Sequence, residues 1–398
     1  MNKKGLFAIA VILALVIIGI AYKTTSPYAS AITHTEKLYK ASVAAPDVPS
    51  LAVAVGHKGD VIWEAAFGFA DLETGAPATP RSLYRIASIS KVITTAALGR
   101  MIERNEIDLD VDVRTYVPSF PEKQWPVTIR QLAAHLGGIR TYEGDEMLIS
   151  RPYASALEGL DVFKESPLMW EPGSQYKYST FGWNLISAAM AGAANKPFLD
   201  IVQDDVITPL GLDETFADKN RDLIKNRVSF YTVGEDGIGN APYVDNSYKW
   251  AGGGYLMSMA DTVKFAMAHD HAGYLKAETL DEFLTPMRLN DGTPSPHGVG
   301  WFIGFGRYLD AIDQLEESER TETINRAAEI MRAHNDHTVF HSGGAVGDIS
   351  MMILDRQHDI AVAVSRNASG DLSAQSQSPA NLAILTLGAF ADAIAAQN

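Results

Sequence analysis

The stretch "LYRIASISKVITTAALGRMIER", residues 83–104, carries the tetrapeptide Ser88-Ile-Ser-Lys91 into a run with apolar residues at Val92, Ile93, Ala96, Leu98, Met101 and Ile102. That spacing predicts a helix over Ile89–Arg104. A lysine just inside a largely apolar helix costs free energy unless its amine has a partner or a task. At the start of such a helix Ser88 sits at the positive end of the dipole. Lys91, one turn on, projects from the same face. A desolvated amine has a lowered pKa and, once neutral, can take the serine proton. The pairing makes a nucleophile without a histidine. The plainer reading is an N-cap serine with Lys91 reaching out to water. Ser-x-x-Lys occurs a second time, at Ser174-Gln-Tyr-Lys177, but there it follows Glu171-Pro-Gly, which is turn chemistry. By itself the motif leaves both readings of Ser88 open.

Working outward, "SLAVAVGHKGDVIWEAAFGFADLETG" gives two apolar runs parted by His57–Asp60 and reads as a β-hairpin. Near the other end, "TVFHSGGAVGDISMMILDRQHDIAVAVSRN" gives three strand-like runs, broken at Gly343–Gly347 and at Asp355–Asp359. "HGVGWFIGFGRYL" reads as a further strand, Asp310–Asn335 as a charged, exposed helical stretch, and Pro379–Ala396 as a helix. Thr180–Ala193 reads as a short helix, and "YVDNSYKWAGGGYLMS" as a glycine-rich loop feeding a helix from Ser258. Strands near both ends with a helical middle predict an α+β fold: an antiparallel sheet flanked by terminal helices, with an inserted helical region.

The chain has 398 residues, 46% hydrophobic and 20% charged, with formal net charge -15. An acidic surface repels phosphate backbones, which argues against nucleic acid as a partner. Cysteine is absent, which excludes disulfides and thiol catalysis. Lys3 and Lys4 precede the uncharged "LFAIAVILALVIIGIAY", Leu6–Tyr22, and Lys23 follows. The run approaches the roughly 20 residues of a membrane span and exceeds a usual signal-peptide core. The expected organisation is therefore a membrane anchor or signal peptide over 1–23, a linker and lead-in helix over 24–47, and a catalytic domain over 48–398. An uncleaved anchor behind two lysines puts the body outside the cytoplasm. Cleavage after "Ala-Ser-Ala", residues 29–31, is the alternative and would give a secreted or periplasmic protein.

Further stretches bear on Ser88. "YKYSTFGWN" supplies Tyr178-Ser-Thr180, and "FHSGGAVG" supplies His341-Ser342-Gly343 opening a glycine-rich turn after an apolar run. With "RIASISK", "LDVDVRTYVPSFPEK", "QLAAHLGGIRTYE" and "YVDNSYKWAGGGYL", these motifs lie in one order across 49–367. The chain thereby resembles the class C β-lactamase-like serine hydrolases, and within them the mitochondrial β-lactamase-like serine protease branch.

The resemblance implies the β-lactamase/penicillin-binding transpeptidase fold and an acyl-enzyme mechanism needing no cofactor. Carried over by motif, Ser88 is the nucleophile, Lys91 its proton acceptor and Tyr178 a second acid/base. The backbone N–H groups of Ser88 and Gly344 form the oxyanion hole. His341, Ser342 and Gly343 line the substrate strand, with His341 where many relatives place a lysine. Thr180 stands where penicillin-binding relatives carry Asn, and Gly137 where the "His-x-Ser-Gly" pattern has Ser. The substrate class implied is a peptide-type amide or an ester. A β-lactamase or carboxylesterase of the same fold, or a non-catalytic scaffold assembling through Asp310–Asn335, are the alternatives. Self-assembly into a homo-oligomer is the partner class the resemblance adds. His135 reads as a structural helix-end histidine, and Asp245 as a loop residue near the cleft. His269-Asp-His271 and His334-x-x-His337 lack a zinc-helix signature and read as polar surface, so no metal is expected.

Overall fold

The computed structural model describes residues 26–370 and 378–397. The proposed anchor Leu6–Tyr22 lies outside the described residues, and none of the described helices is long and apolar enough to cross a membrane.

The expected hairpin forms from β1 (Ser50–His57) and β2 (Asp60–Asp71). Both join one antiparallel sheet of seven strands. With β3 (Ala76–Pro77), β4 (Phe302–Ile303), β5 (Thr338–Ala345), β6 (Asp348–Asp355) and β7 (Ile360–Arg366), the order is β3-β2-β1-β7-β6-β5-β4. Pairing runs from Leu51 against Arg366 to His57 against Ile360, so segments from the two ends of the chain lie side by side at the sheet centre.

A period of two divides the central strands between two cores. Leu51, Val53, Val55, Met351, Ile353, Val362 and Val364 face one side. There they meet α1 (Ala29–Ser42), α5 (Glu322–His334) and α6 (Pro379–Ala395) through Tyr39, Met331, Leu387 and Phe390. Burial of each large apolar side chain contributes about 1.5–3 kcal/mol. Ala52, Ala54, Met352, Leu354, Ala361 and Ala363 face the other side, packed with α2 (Ser90–Glu103), α3 (Thr180–Ala194) and α4 (Met259–Met267). The alanines let α4 lie close over β1 and β7. Helix α1 belongs to this packed body. Tyr39 is buried, stacks on Phe67 with ring centroids 5.5 Å apart, and shares a 3.2 Å hydrogen bond with Thr386 of α6.

Two expectations fail. "HGVGWFIGFGRYL" yields only the two-residue edge strand β4, then a helix over Gly306–Asp313. Gly300 and Gly304 flank the strand with φ of 80° and 65°, a left-handed backbone that cannot continue a ladder. Asp310–Asn335 is not one exposed helix either, because α5 buries Ala327, Ile330 and Met331 against α6 and the sheet.

Candidate active site

Residues Ala87–Ile89 make one tight helical turn that leads into α2. Ala87 sits at φ 46°, a left-handed conformation that a residue with a Cβ adopts only under constraint. The constraint is visible in β5, which runs beside the turn. A Cβ at Gly343 would meet Ile86 O at 2.3 Å and Ser350 Oγ at 2.2 Å, so only glycine permits this approach. The Ser350 hydroxyl donates to that same Ile86 carbonyl at 3.0 Å. From Ser82 to Gly99 every residue is buried except Ser88. The turn thus lifts one hydroxyl out of an otherwise solvent-free segment.

Lys91 is fully buried one turn behind it. Its Nζ lies 2.9 Å from Ser88 Oγ, 2.7 Å from Gly252 O and 3.3 Å from Thr180 Oγ1. Burial pushes its pKa well down, and the charge of Lys249 pushes it further. Carboxylates play no part in that balance among the described residues. A neutral amine has two N–H donors and one lone pair. Gly252 O can only accept, so one Lys91 N–H is committed to it. Burial disfavours the ammonium, and an amine that has lost its proton can turn its lone pair to the Ser88 hydroxyl 2.9 Å away.

Tyr178 neighbours both groups, with its phenol close enough to the Ser88 hydroxyl to be influenced by it. Burial raises its phenol far above the usual value, so it is a proton donor at neutral pH. Its ring packs 4.9 Å from the Lys91 amine and stacks on His135 at 4.1 Å between centroids. His135 is the helix-end histidine expected. It follows the short helix Ile129–Ala133 at φ 60° and accepts the Ser179 N–H through Nδ1 at 3.1 Å. It thereby fixes the segment bearing Tyr178. His297 lies 4.7 Å from His135, ring to ring, and shares a 3.0 Å hydrogen bond between its Nδ1 and the Tyr176 hydroxyl.

His341 lies on β5 beside the site. It is fully buried, and its Nδ1–H donates to Ser342 O at 2.7 Å. Burial and the neighbouring Lys91 hold its pKa down to about 3. The ring is neutral at physiological pH and supplies no positive charge. Ser342 is partly exposed and Gly344 is exposed, beside the buried Gly343. Thr180 is buried and engaged with Lys91, not free for an incoming amide. Asp245 turns to its own loop, where it accepts the Ser247 N–H at 2.9 Å. Ser174 accordingly caps a turn by donating to Glu171 O, and takes no part in the site.

Three participants escape a reading of residue types and spacing. Gly252 contributes a carbonyl, which any residue would carry, although Gly252 is required because a Cβ would meet Thr180 at 2.4 Å. His297 opens the stretch read as a strand, and its residue type there does not point to the site. Lys249, in "YKWAGGG", is buried between the rings of Tyr142 and Tyr248, 5.6 Å and 5.2 Å from its amine, and burial lowers its pKa to about 8. A lysine preceding a glycine-rich helix start was the only available signal for it.

The family model described as Beta-lactamase matches residues 35–386, most of the chain and all of the site just described. The chain belongs to the beta-lactamase family. It is a serine hydrolase, as members of this family are. Among curated relatives it is 30% identical to the human serine beta-lactamase-like protein LACTB, mitochondrial, over 77% of this chain and 68% of that one. In fold it is similar to the D-amino acid amidase of Ochrobactrum anthropi SV3, with TM-score 0.72 and 21% identity over 91% of this chain and 99% of that one. The octameric penicillin-binding protein homologue from Pyrococcus abyssi gives TM-score 0.70 and 20% identity over 90% and 76% of the two chains. These likenesses extend across both cores of the beta-lactamase fold, not only its motifs.

Proposed function

We propose that this beta-lactamase-family hydrolase is a peptidase or amidase that works through an acyl-Ser88 intermediate. The observation that carries the reading is the fully buried Lys91 amine 2.9 Å from Ser88 Oγ, with no carboxylate among the described residues to hold its proton. In acylation Ser88 Oγ attacks the substrate carbonyl carbon and its proton passes to Lys91 Nζ. The N–H groups of Ser88 and Gly344 hold the oxyanion. Tyr178 delivers a proton to the leaving amine and is reprotonated from Lys91, so the C–N bond breaks without expelling an amide anion. Water then enters with its proton taken by the same pair, and Ser88 is released.

The substrate follows from what surrounds the acyl group. A β-lactamase grips a ring carboxylate with a cation and a side chain with an amide. Here His341 is neutral and Thr180 is occupied by Lys91. An extended peptide loses less, because it binds along a strand through its backbone. The solved amidase of the same fold acts on an amino acid amide, which supports the amide class. The anchor reading of Leu6–Tyr22 puts this activity outside the cytoplasm at a membrane. The octameric homologue supports assembly of several copies.

A fluorophosphonate probe with mass spectrometry of the labelled peptide tests the nucleophile. The expected adduct is on Ser88 and absent from Ser88→Ala. A panel of peptide anilides and a chromogenic cephalosporin, assayed on one preparation, tests the class. Higher kcat/KM on the cephalosporin would replace the peptidase reading with a β-lactamase one.

A further inference from the structure

At the end of the sheet away from Ser88, four side chains that the mechanism does not use converge. His334 ends α5, His337 follows in a short turn, Asp355 ends β6, and His358 lies in the turn between β6 and β7. Asp355 is fully buried. One of its oxygens accepts from His334 Nδ1 at 2.6 Å and from His358 Nδ1 at 2.8 Å, and the other lies 3.5 Å from His337 Nε2. That His337 nitrogen is buried without a hydrogen-bond partner. One ligand atom from each residue falls within 4.8 Å of all the others.

We propose that His334, His337, Asp355 and His358 form a structural zinc site. The three imidazoles are arranged as a metal would arrange them. Their ring centroids are 5.7, 5.2 and 5.2 Å apart, with interplanar angles of 67°, 60° and 65°. Zinc at about 2.1 Å from a ring nitrogen lies about 3.2 Å from the ring centroid, so tetrahedral imidazoles have centroids about 5.2 Å apart. Ligand atoms of tetrahedral zinc are about 3.3 Å apart, so the two short Asp355–histidine contacts lengthen and any wider pairs close, changes that side-chain rotation supplies.

The spacing agrees. His334-x-x-His337 and Asp355-x-x-His358 are two pairs separated by residues 338–354, the β5–β6 hairpin. Paired ligands parted by about 15–20 residues are the pattern of structural zinc sites. Three imidazoles with one carboxylate and no thiolate suit zinc, and four protein ligands leave no open position for catalysis. The ion would tie the end of α5 to the β6–β7 turn, clamping one helix of the outer layer onto the sheet.

The full chain, stripped with a strong chelator, reloaded with zinc chloride and freed of excess metal, tests this directly. Elemental analysis should give about one zinc per chain. Cobalt chloride in place of zinc should give the intense visible absorption of tetrahedral cobalt, which requires no variant. His358→Gln, at a turn position that interrupts no strand, should weaken zinc binding by about 100-fold or more. It should leave fluorophosphonate labelling of Ser88 unchanged. Loss of zinc in His358→Gln with labelling retained supports the site. Zinc well below one per chain in the wild type, or equal zinc in His358→Gln, overturns it and leaves Asp355 as a carboxylate hydrogen-bonded by histidines. A labelled Ser88 with no zinc would fail this proposal alone, whereas an unlabelled Ser88 with one zinc would fail the hydrolase mechanism alone.

Discussion

The β5–β6 hairpin carries a basic cluster at each end. Near one end Lys91, His135, His297 and His341 lie together, and among the described residues burial and neighbouring bases, not a carboxylate, set the charge of each. At the other, His334, His337 and His358 close around the buried Asp355. The residue types are nearly the same, and the chemistry is opposite. Without an acid, burial removes protons and yields neutral bases. With an acid, the histidines gain a fixed anionic partner and their nitrogens converge on one point. What separates a base from a ligand set here is a single carboxylate.

The largest expected consequence concerns acid stability. His135, His297 and His341 are buried with their pKa values pushed below the usual 6.5, His341 to about 3, with desolvation the leading cause. A histidine whose folded pKa lies below its unfolded one favours the fold above about pH 6.5. That contribution is lost as pH falls from there toward the folded value. Each should add a slope of up to about 1.4 kcal/mol per pH unit to the unfolding free energy in that window. Urea unfolding at pH 7, 6, 5 and 4.5 measures it. A stability that stays flat across this range would mean the acid-free cluster is not held neutral.

Next in size is Lys91→Ala. Loss of a positioned general base should slow fluorophosphonate labelling of Ser88 by about 10²–10⁴-fold, with circular dichroism unchanged. Labelling at the wild-type rate would make Lys91 a packing residue. At the opposite cluster, Asp355→Asn in metal-free buffer should lower the unfolding free energy by about 1–3 kcal/mol, because one carboxylate oxygen accepts from two imidazoles and the other from the Gln357 and His358 N–H groups, and an amide NH2 can accept in neither place. An unchanged midpoint would show that the three histidines hold together without it. The smallest effect belongs to Lys249→Met. Removing this cation lets Lys91 keep its proton to higher pH, so the rising limb of the labelling profile should move to higher pH. A shift to lower pH would contradict the like-charge account.

Much of this was readable in the chain. Alternation in Ser50–His57 and Ile360–Arg366 gives strands, and Ser88, Lys91, Tyr178 and Gly343 stand out because their chemistry depends on residue type and short spacing. The rest depends on distance or on backbone. Ala87 and His135 hold left-handed conformations that nothing in "RIASISK" or "AAHLGG" demands. The motif position of His341 puts it on the substrate strand, while its burial depends on Phe302 and His297 packing beside it from another segment. Asp355 and His358 were divided from His334 and His337 by a whole hairpin. Only the register of Thr338 against Asp355 brings the two pairs together.

The account turns on one property, the charge of Lys91. Selective labelling of lysine with ¹³C at Cε and ¹⁵N at Nζ, assigned by comparison with Lys91→Arg, reports that charge directly through the chemical shifts of the amine. The account predicts that one lysine, Lys91, has the shifts of a neutral amine at pH 7, and that Lys249 titrates separately near pH 8. A Lys91 that remains an ammonium at pH 7 and titrates near the ordinary value of about 10.4 would contradict it.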